Sequence, residues 1–381
     1  MPTVTVPTQV LPVISEPALP ADPALRAIAD DVLSALRYSF AVAAADEQPS
    51  ASGRVDRGVQ AYLATRRADQ RAHVREEAKT LLAAPAPLRA RTFGRYAAVD
   101  PKAYRAAGSD NMTGLVGKLP VERVAVQKSL DGLVARLMVM PTAAKTQTLE
   151  HQALDAAGKA IILKLDPDLI AGLAFKKMRL FIRSVQCIEE TSEIGSDEIN
   201  MGGTVTDPFG NTSIVQEFEV STDFDEAEIV NYGASKVFAT WNLVTTTPGF
   251  PYVYASTIAL AEKDDGGFYK FLNELWKMVE DKVKTAVAAA VGAAIGGAIG
   301  NALGAVVGAI VGVLVDWILS LFDNHDDIVG VKPLLMTLAS CKKSYYDWAK
   351  LTSAGGWATT MHFKGDGGHY AVAVAFKIFT Q

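Results

Sequence analysis

Across 285–315 the chain carries no charged residue, and glycine returns there at every fourth position: Gly292, Gly296, Gly300, Gly304, Gly308 and Gly312. The residues between are mostly Ala, Val, Ile and Leu. In water each glycine costs about 0.8–1.0 kcal/mol of helix propensity relative to alanine, so such a row needs close packing to offset it. Gly-x-x-x-Gly strips side chains from one stripe and lets another backbone approach. At about 100° per residue the stripe drifts by about 40° every four residues, so one straight partner cannot follow its whole length. The pattern therefore predicts a glycine-zipper hairpin of two half-helices, roughly 285–298 and 302–322, broken near Gly296-Gly297 and Gly300-Asn301.

An uncharged run of 18 or more residues is the usual mark of a membrane-spanning segment. Lys282 and Lys284 stand on one flank; Trp317, Asp323, Asp326 and Asp327 stand on the other, as interfacial anchors and a charged stop would. A hairpin buried at the centre of a soluble helical layer fits the same residues. The segment resembles the hydrophobic helical hairpin of channel-forming bacterial toxins, which hide such an element in the soluble form and release it at a membrane. That resemblance implies a membrane-active, pore-forming toxin or effector with a lipid membrane as partner and self-association on insertion. The alternative is a soluble structural or binding protein with the hairpin as an oligomerisation core. The strings at 189–198 and 262–267 look like ones in uncharacterised bacterial proteins and bring no function with them.

With 381 residues the chain exceeds what one core usually holds. Its net charge of -5 argues against a nucleic-acid partner, whose footprint would be basic. The charge is unevenly spread. Residues 54–105 hold twelve Lys/Arg against five Asp/Glu, whereas 189–228 hold twelve Asp/Glu and neither Lys nor Arg, so a boundary falls near 175. Cys187 and Cys341 allow at most one disulfide. The stretch 1–7 has no basic n-region and no unbroken apolar core, so no Sec signal is expected and export would need another route.

Six prolines in 1–24 make 1–21 an extended arm. Helical spacing follows at 24–45, with Asp22-Pro23 as cap and first-turn pair, then over one long charged helix at 53–84, at 121–140 and at 147–164. Residues 22–174 thus read as a helical region. From Lys176 the period becomes alternating, with strands expected at 178–188, 199–206, 212–220, 234–244, 252–261, 357–363 and 369–379. The expected class is α+β: a helical N-terminal region, then an antiparallel β-sandwich from 175–263 with 356–381. Residues 264–355 form a helical insertion before the last strands, carrying the hairpin. Val372, Val374 and Phe376 need a facing sheet to bury them, so the last hairpin should share the sandwich.

Glu189, Glu190, Asp197, Glu198, Asp223, Asp225, Asp264 and Asp265 lie mostly at expected strand ends, where loops gather on one rim. Clustered hard oxygens suit Ca²⁺, which takes 6–8 of them; a solvated acidic face with no ion is the other reading. No EF-hand spacing is present. Catalytic signatures are lacking: there is no Gly-x-Ser-x-Gly and no phosphate-cradling loop, and the five histidines form no helical ligand pair. His362 and His369 flank the final turn and can face each other, and an ordinary hairpin pair is the reading they support. No enzyme is expected.

Overall fold

The computed structural model describes residues 13–15, 19–46, 53–138, 151–154, 160–163, 175–191, 197–209, 211–243, 252–262, 268–291, 297–321, 328–338, 341, 357–365 and 367–379. Asp22 opens the first long helix, α1 (Pro23–Ala45). Its carboxylate accepts from the backbone N–H groups of Ala24 and Leu25 at 3.0 and 3.3 Å, while Pro23 occupies the first turn, where its missing N–H costs nothing. Leu25, Ile28, Val32, Leu33, Leu36 and Phe40 are all buried, so α1 is the central rod of the helical layer.

The long charged helix expected at 53–84 is two helices, α2 (Arg54–Leu63) and α3 (Ala68–Ala83). Local hydrogen bonds cause the break. Thr65 donates its hydroxyl to the Tyr62 carbonyl, Arg66 tucks over the Tyr62 ring at 5.0 Å, and Arg71 reaches back to the Arg66 carbonyl. Beyond Val74 and Ala78, α3 lies towards solvent as its charge density implies. Short helices α4 (Ala86–Phe93), α5 (Pro101–Ala107) and α6 (Met112–Val116) follow, then α7 (Arg123–Met138). The helical spacing read at 147–164 is a correction: β2 (His151–Leu154) pairs antiparallel with β3 (Ala160–Leu163). β-branched Ile161 and Ile162 favour a strand, and Gly158 interrupts the helical run.

The sandwich is built from β4 (Lys177–Glu189), β5 (Asp197–Thr206), β6 (Thr212–Phe224), β7 (Ile229–Asn242), β8 (Tyr252–Glu262), β9 (Ile328–Leu338), β10 (Trp357–Gly365) and β11 (Gly368–Phe379). One sheet runs β10-β11-β4-β7. The other runs β1-β9-β8-β5-β6, with β1 (Val13–Ser15) drawn from the proline-rich arm as an edge strand on β9. The last hairpin does share the sandwich: Val372 pairs with Val185 and Val374 with Ile182. Two helices, α8 (Phe268–Val291) and α9 (Gly297–Leu319), lie between β8 and β9 in the chain.

The sheet containing β8 is the middle of three layers. On β8, Tyr252, Tyr254, Ile258 and Leu260 enter the core between the sheets, while Val253, Ala255, Ala259 and Ala261 join the core under the helices. β9 is divided in the same way, with Val329, Leu334 and Met336 inside the sandwich and Val331 and Leu335 beneath the helices. A strand covered on both faces loses its alternation and reads as a plain apolar run. For that reason 328–338 carries no strand signal and falls within the expected helical insertion, and the structure corrects it to a strand.

Candidate functional site

The hairpin consists of α8 and α9, and both arms are longer than the half-helices expected. The amphipathic stretch from Phe268 continues without a break to Val291, so the first arm carries charged residues as far as Lys284 and is not wholly apolar. Residues from Gly297 onward are already helical, so the chain does not break at Gly300-Asn301. Gly292 and Gly296 lie outside the described residues, as do Asp264 and Asp265.

Of the remaining glycines, Gly300, Gly304, Gly308 and Gly312 all lie on α9, and Gly308 is buried. Two of them face strands rather than a helix. A Cβ built on Gly304 would sit 4.0 Å from Val253 of β8, and one on Gly312 would sit 3.3 Å from Pro333 of β9. The stripe therefore lets a helix settle onto a sheet whose upper face on β8 is mainly alanine. Leu303, Val306, Ile310, Leu314 and Ile318 complete the apolar surface of α9 and are all buried. Trp317 is half-buried: Phe40 meets its ring edge-on at 5.8 Å and the Arg37 guanidinium lies 5.5 Å from its centroid.

Polar fastening is concentrated on α8. Arg54 of α2 donates to Asp281 at 2.6 Å and to Glu274 at 3.3 Å. Lys282 donates to the Ser109 carbonyl at 2.7 Å, Tyr269 to the Asn200 carbonyl at 3.0 Å, and Lys284 to Glu280 at 2.5 Å. Burial pushes Lys282 below the ordinary lysine range, against the pull of Asp110, Asp56 and Asp281. Burial also acts on Glu274, but hydrogen bonds from Lys277 and Arg54 outweigh it and hold the carboxyl below its ordinary 4.5. On α9 the one charge is Asp316. It lies on the exposed side of the helix, yet neighbouring side chains displace enough water to raise its carboxyl above the usual range, with Lys332 opposing. A cavity of about 610 Å³ opens beside the contacts of α1 and α2 with α8, floored by Ala286, Ala289 and Ala290 and edged by Arg54, Lys118 and Asp281.

Sequence reasoning missed the network that seats α2. Asp56 is buried and accepts from the Tyr104 hydroxyl at 2.7 Å and the Ser109 N–H at 3.3 Å. Only its first-turn position on α2 is visible in the sequence.

The acidic residues fare unevenly. Glu189, Glu190, Asp197 and Asp225 do gather where β4, β5, β6 and β7 begin or end. Asp197, however, is buried and already engaged: the Thr191 N–H and hydroxyl donate to it at 3.0 and 2.6 Å, and the Tyr370 hydroxyl donates as well. Glu190 accepts from the Glu226 N–H at 2.5 Å. Glu198 sits beside Glu262, whose carboxylate accepts its N–H at 3.2 Å, and Asp223 and Asp225 face solvent. Among the described residues, no group of three or more His, Cys, Asp or Glu side chains is arranged to hold a metal ion. The local field is nonetheless strongly negative. Burial, then Asp197, Glu190 and Glu226, push the Cys187 thiol up to about 12. Crowded carboxylates repel one another, so millimolar Ca²⁺ should raise the melting temperature by about 1–3 °C over chelator at matched ionic strength. Mg²⁺ should do nearly as well, because divalent cations gather at an acidic rim more than monovalent ions do and no ligand cage is involved. Identical melting curves in all three buffers would remove the repulsion argument.

No protein-family model, curated protein or solved structure matches the chain. Among the described residues, no helix is long and apolar enough to cross a membrane.

Proposed function

We propose that the protein is a membrane-active toxin or effector stored with its hairpin sheathed, and that it acts by releasing α8 and α9 into a target bilayer as a wedge. The observation that carries this reading is the division of labour within the hairpin. The polar fastenings to the rest of the protein described above are made by α8, whereas α9 is held almost wholly by apolar contacts that lipid can replace. On a bilayer the charged face of α8 stays at headgroup level and α9 sinks beside it, so neither helix has to cross alone. Released hairpins then self-associate in the bilayer.

Acid is the trigger this arrangement favours, and the signs can be worked through. Glu274 is held below 4.5, so its pairing with Arg54 and Lys277 contributes stability above 4.5 that is lost as the pH falls through the lowered value. Asp316 is raised, so its effect is opposite: it destabilises the stored form at neutral pH, and that penalty disappears as the pH falls through its raised value. Its protonation therefore does not open the sheath. It removes the last charge from α9, a charge that would cost about 2.5–3.5 kcal/mol at the centre of a bilayer. Loss of the Glu274 arm of the Arg54 clamp is the opening step. Wild type should release dye from anionic liposomes several-fold faster at pH 4 than at pH 7, and Arg54→Ala should move the onset to higher pH. A folded wild type that releases no dye at any pH, lipid charge or Ca²⁺ level would sink the proposal.

One observation favours the second reading, a soluble binding or structural protein. The apolar side chains of α9 are already covered by β8, β9, α1 and α8, as in an ordinary core. That reading expects no leakage and a stable particle in gel filtration without detergent.

A further inference from the structure

The outer face of the four-stranded sheet carries two histidines that the hairpin proposal does not use. β10 and β11 are joined by a tight turn at which Gly365 pairs with Gly368. In this register His369 lies opposite Lys364, and His362 lies opposite Ala371. The two rings meet on the diagonal, in the exposed layer, with His362 Nδ1 3.0 Å from His369 Nε2 and ring centroids 5.2 Å apart. The scaffold beneath them is rigid. Gly365 is pressed against β9 so closely that a Cβ there would sit 2.3 Å from the Val329 carbonyl oxygen, and His369 is in register with Glu189 of β4 on its other side.

We propose that His362 and His369 form a two-imidazole chelate for a borderline divalent transition ion, Zn²⁺ or Cu²⁺. A metal–nitrogen bond of about 2.0–2.1 Å places two nitrogens of one shell about 2.9 Å apart at a right angle and about 3.4 Å apart at a tetrahedral angle. The observed separation lies inside that window, so one ion can reach both nitrogens once the rings turn their lone pairs from each other towards it. Both donors stand on paired strands and not on loops, so the bite is set in advance. The ion replaces a hydrogen bond between the rings, and any proton on the two donor nitrogens leaves to solvent as it binds. Glu189 is exposed on the adjacent strand and supplies a negative charge that offsets Lys364. With no three-residue ligand group among the described residues, water fills the remaining positions. This chemistry differs from that of the acidic rim, which offers hard oxygens.

The test titrates the untagged full-length chain with Zn²⁺ and with Cu²⁺ against a chromophoric chelator. One equivalent of each ion should bind, Cu²⁺ more tightly, as its place in the divalent series requires. Binding should weaken at least tenfold in both His362→Ala and His369→Ala and stay unchanged in His73→Ala. It should also weaken on acidification, because protons compete with the ion for the donor nitrogens. Excess Ca²⁺ should not compete. Both histidines lie on the outer face, so melting curves of the apo variants should match wild type and exclude misfolding. No stoichiometric binding by wild type, equal affinity in the double variant, or loss in only one single variant would each overturn the chelate and leave a plain hydrogen-bonded pair.

Discussion

Replacing Gly203 with alanine is expected to destabilise the fold by about 4 kcal/mol or more, among the largest effects a single methyl can produce. Gly203 sits at a register shift of β5 against β6, with φ at +155°. A Cβ there would lie 1.8 Å from the Thr257 carbonyl oxygen and 2.9 Å from its carbon. These are backbone atoms of β8, so no side chain can swing aside. The strand cannot retreat either, because β8 is hydrogen-bonded to β5 on one side and to β9 on the other. Gly233 provides the control: its φ is +60°, but nothing lies within 4 Å of the added methyl. Gly233→Ala should therefore cost only the left-handed strain of about 1–2 kcal/mol. Urea denaturation of the two variants checks the contrast. Similar midpoints would mean that β5 and β8 do not approach as closely as described.

Such close approaches mark where the sequence stops being informative. Asp22-Pro23 and the spacing of Leu25, Ile28 and Val32 made α1 legible, because capping and periodicity act within one element. The last hairpin was legible for a similar reason: Tyr370, Val372 and Val374 alternate across a sheet that buries one face. β9 was not legible, because helices cover one of its faces and a sheet the other. The break between α2 and α3 depends on where Arg66 and Arg71 fold back, and propensity does not encode that. In the candidate site the glycine row was plain, but a stripe without side chains specifies a smooth surface and not what rests on it. Val253 and Pro333 turn out to be what two of its members meet. The acidic cluster was likewise visible as composition, whereas the engagement of Asp197 by Thr191 and Tyr370 follows from a pairing of distant strands.

The glycine-to-sheet contact also supplies the sharpest functional experiment. Replacing Gly304 and Gly312 together with leucine adds two bulky side chains where α9 meets β8 and β9. Overpacking costs about 1–3 kcal/mol at each site. Leucine returns about 0.7 kcal/mol of helix propensity at each, so the docked hairpin loses on balance. The sites lie about 12 Å apart along the helix, so the two losses should nearly add. In the released hairpin the sheet is gone, and only the propensity gain remains. The double variant therefore shifts the balance towards release, and liposome leakage should begin at a higher pH than in wild type. If α9 is only a core helix, the same variant should melt earlier and aggregate while releasing no dye. A folded variant that leaks less than wild type would instead place the stripe at a helix–helix seam inside the bilayer, where leucine blocks close approach.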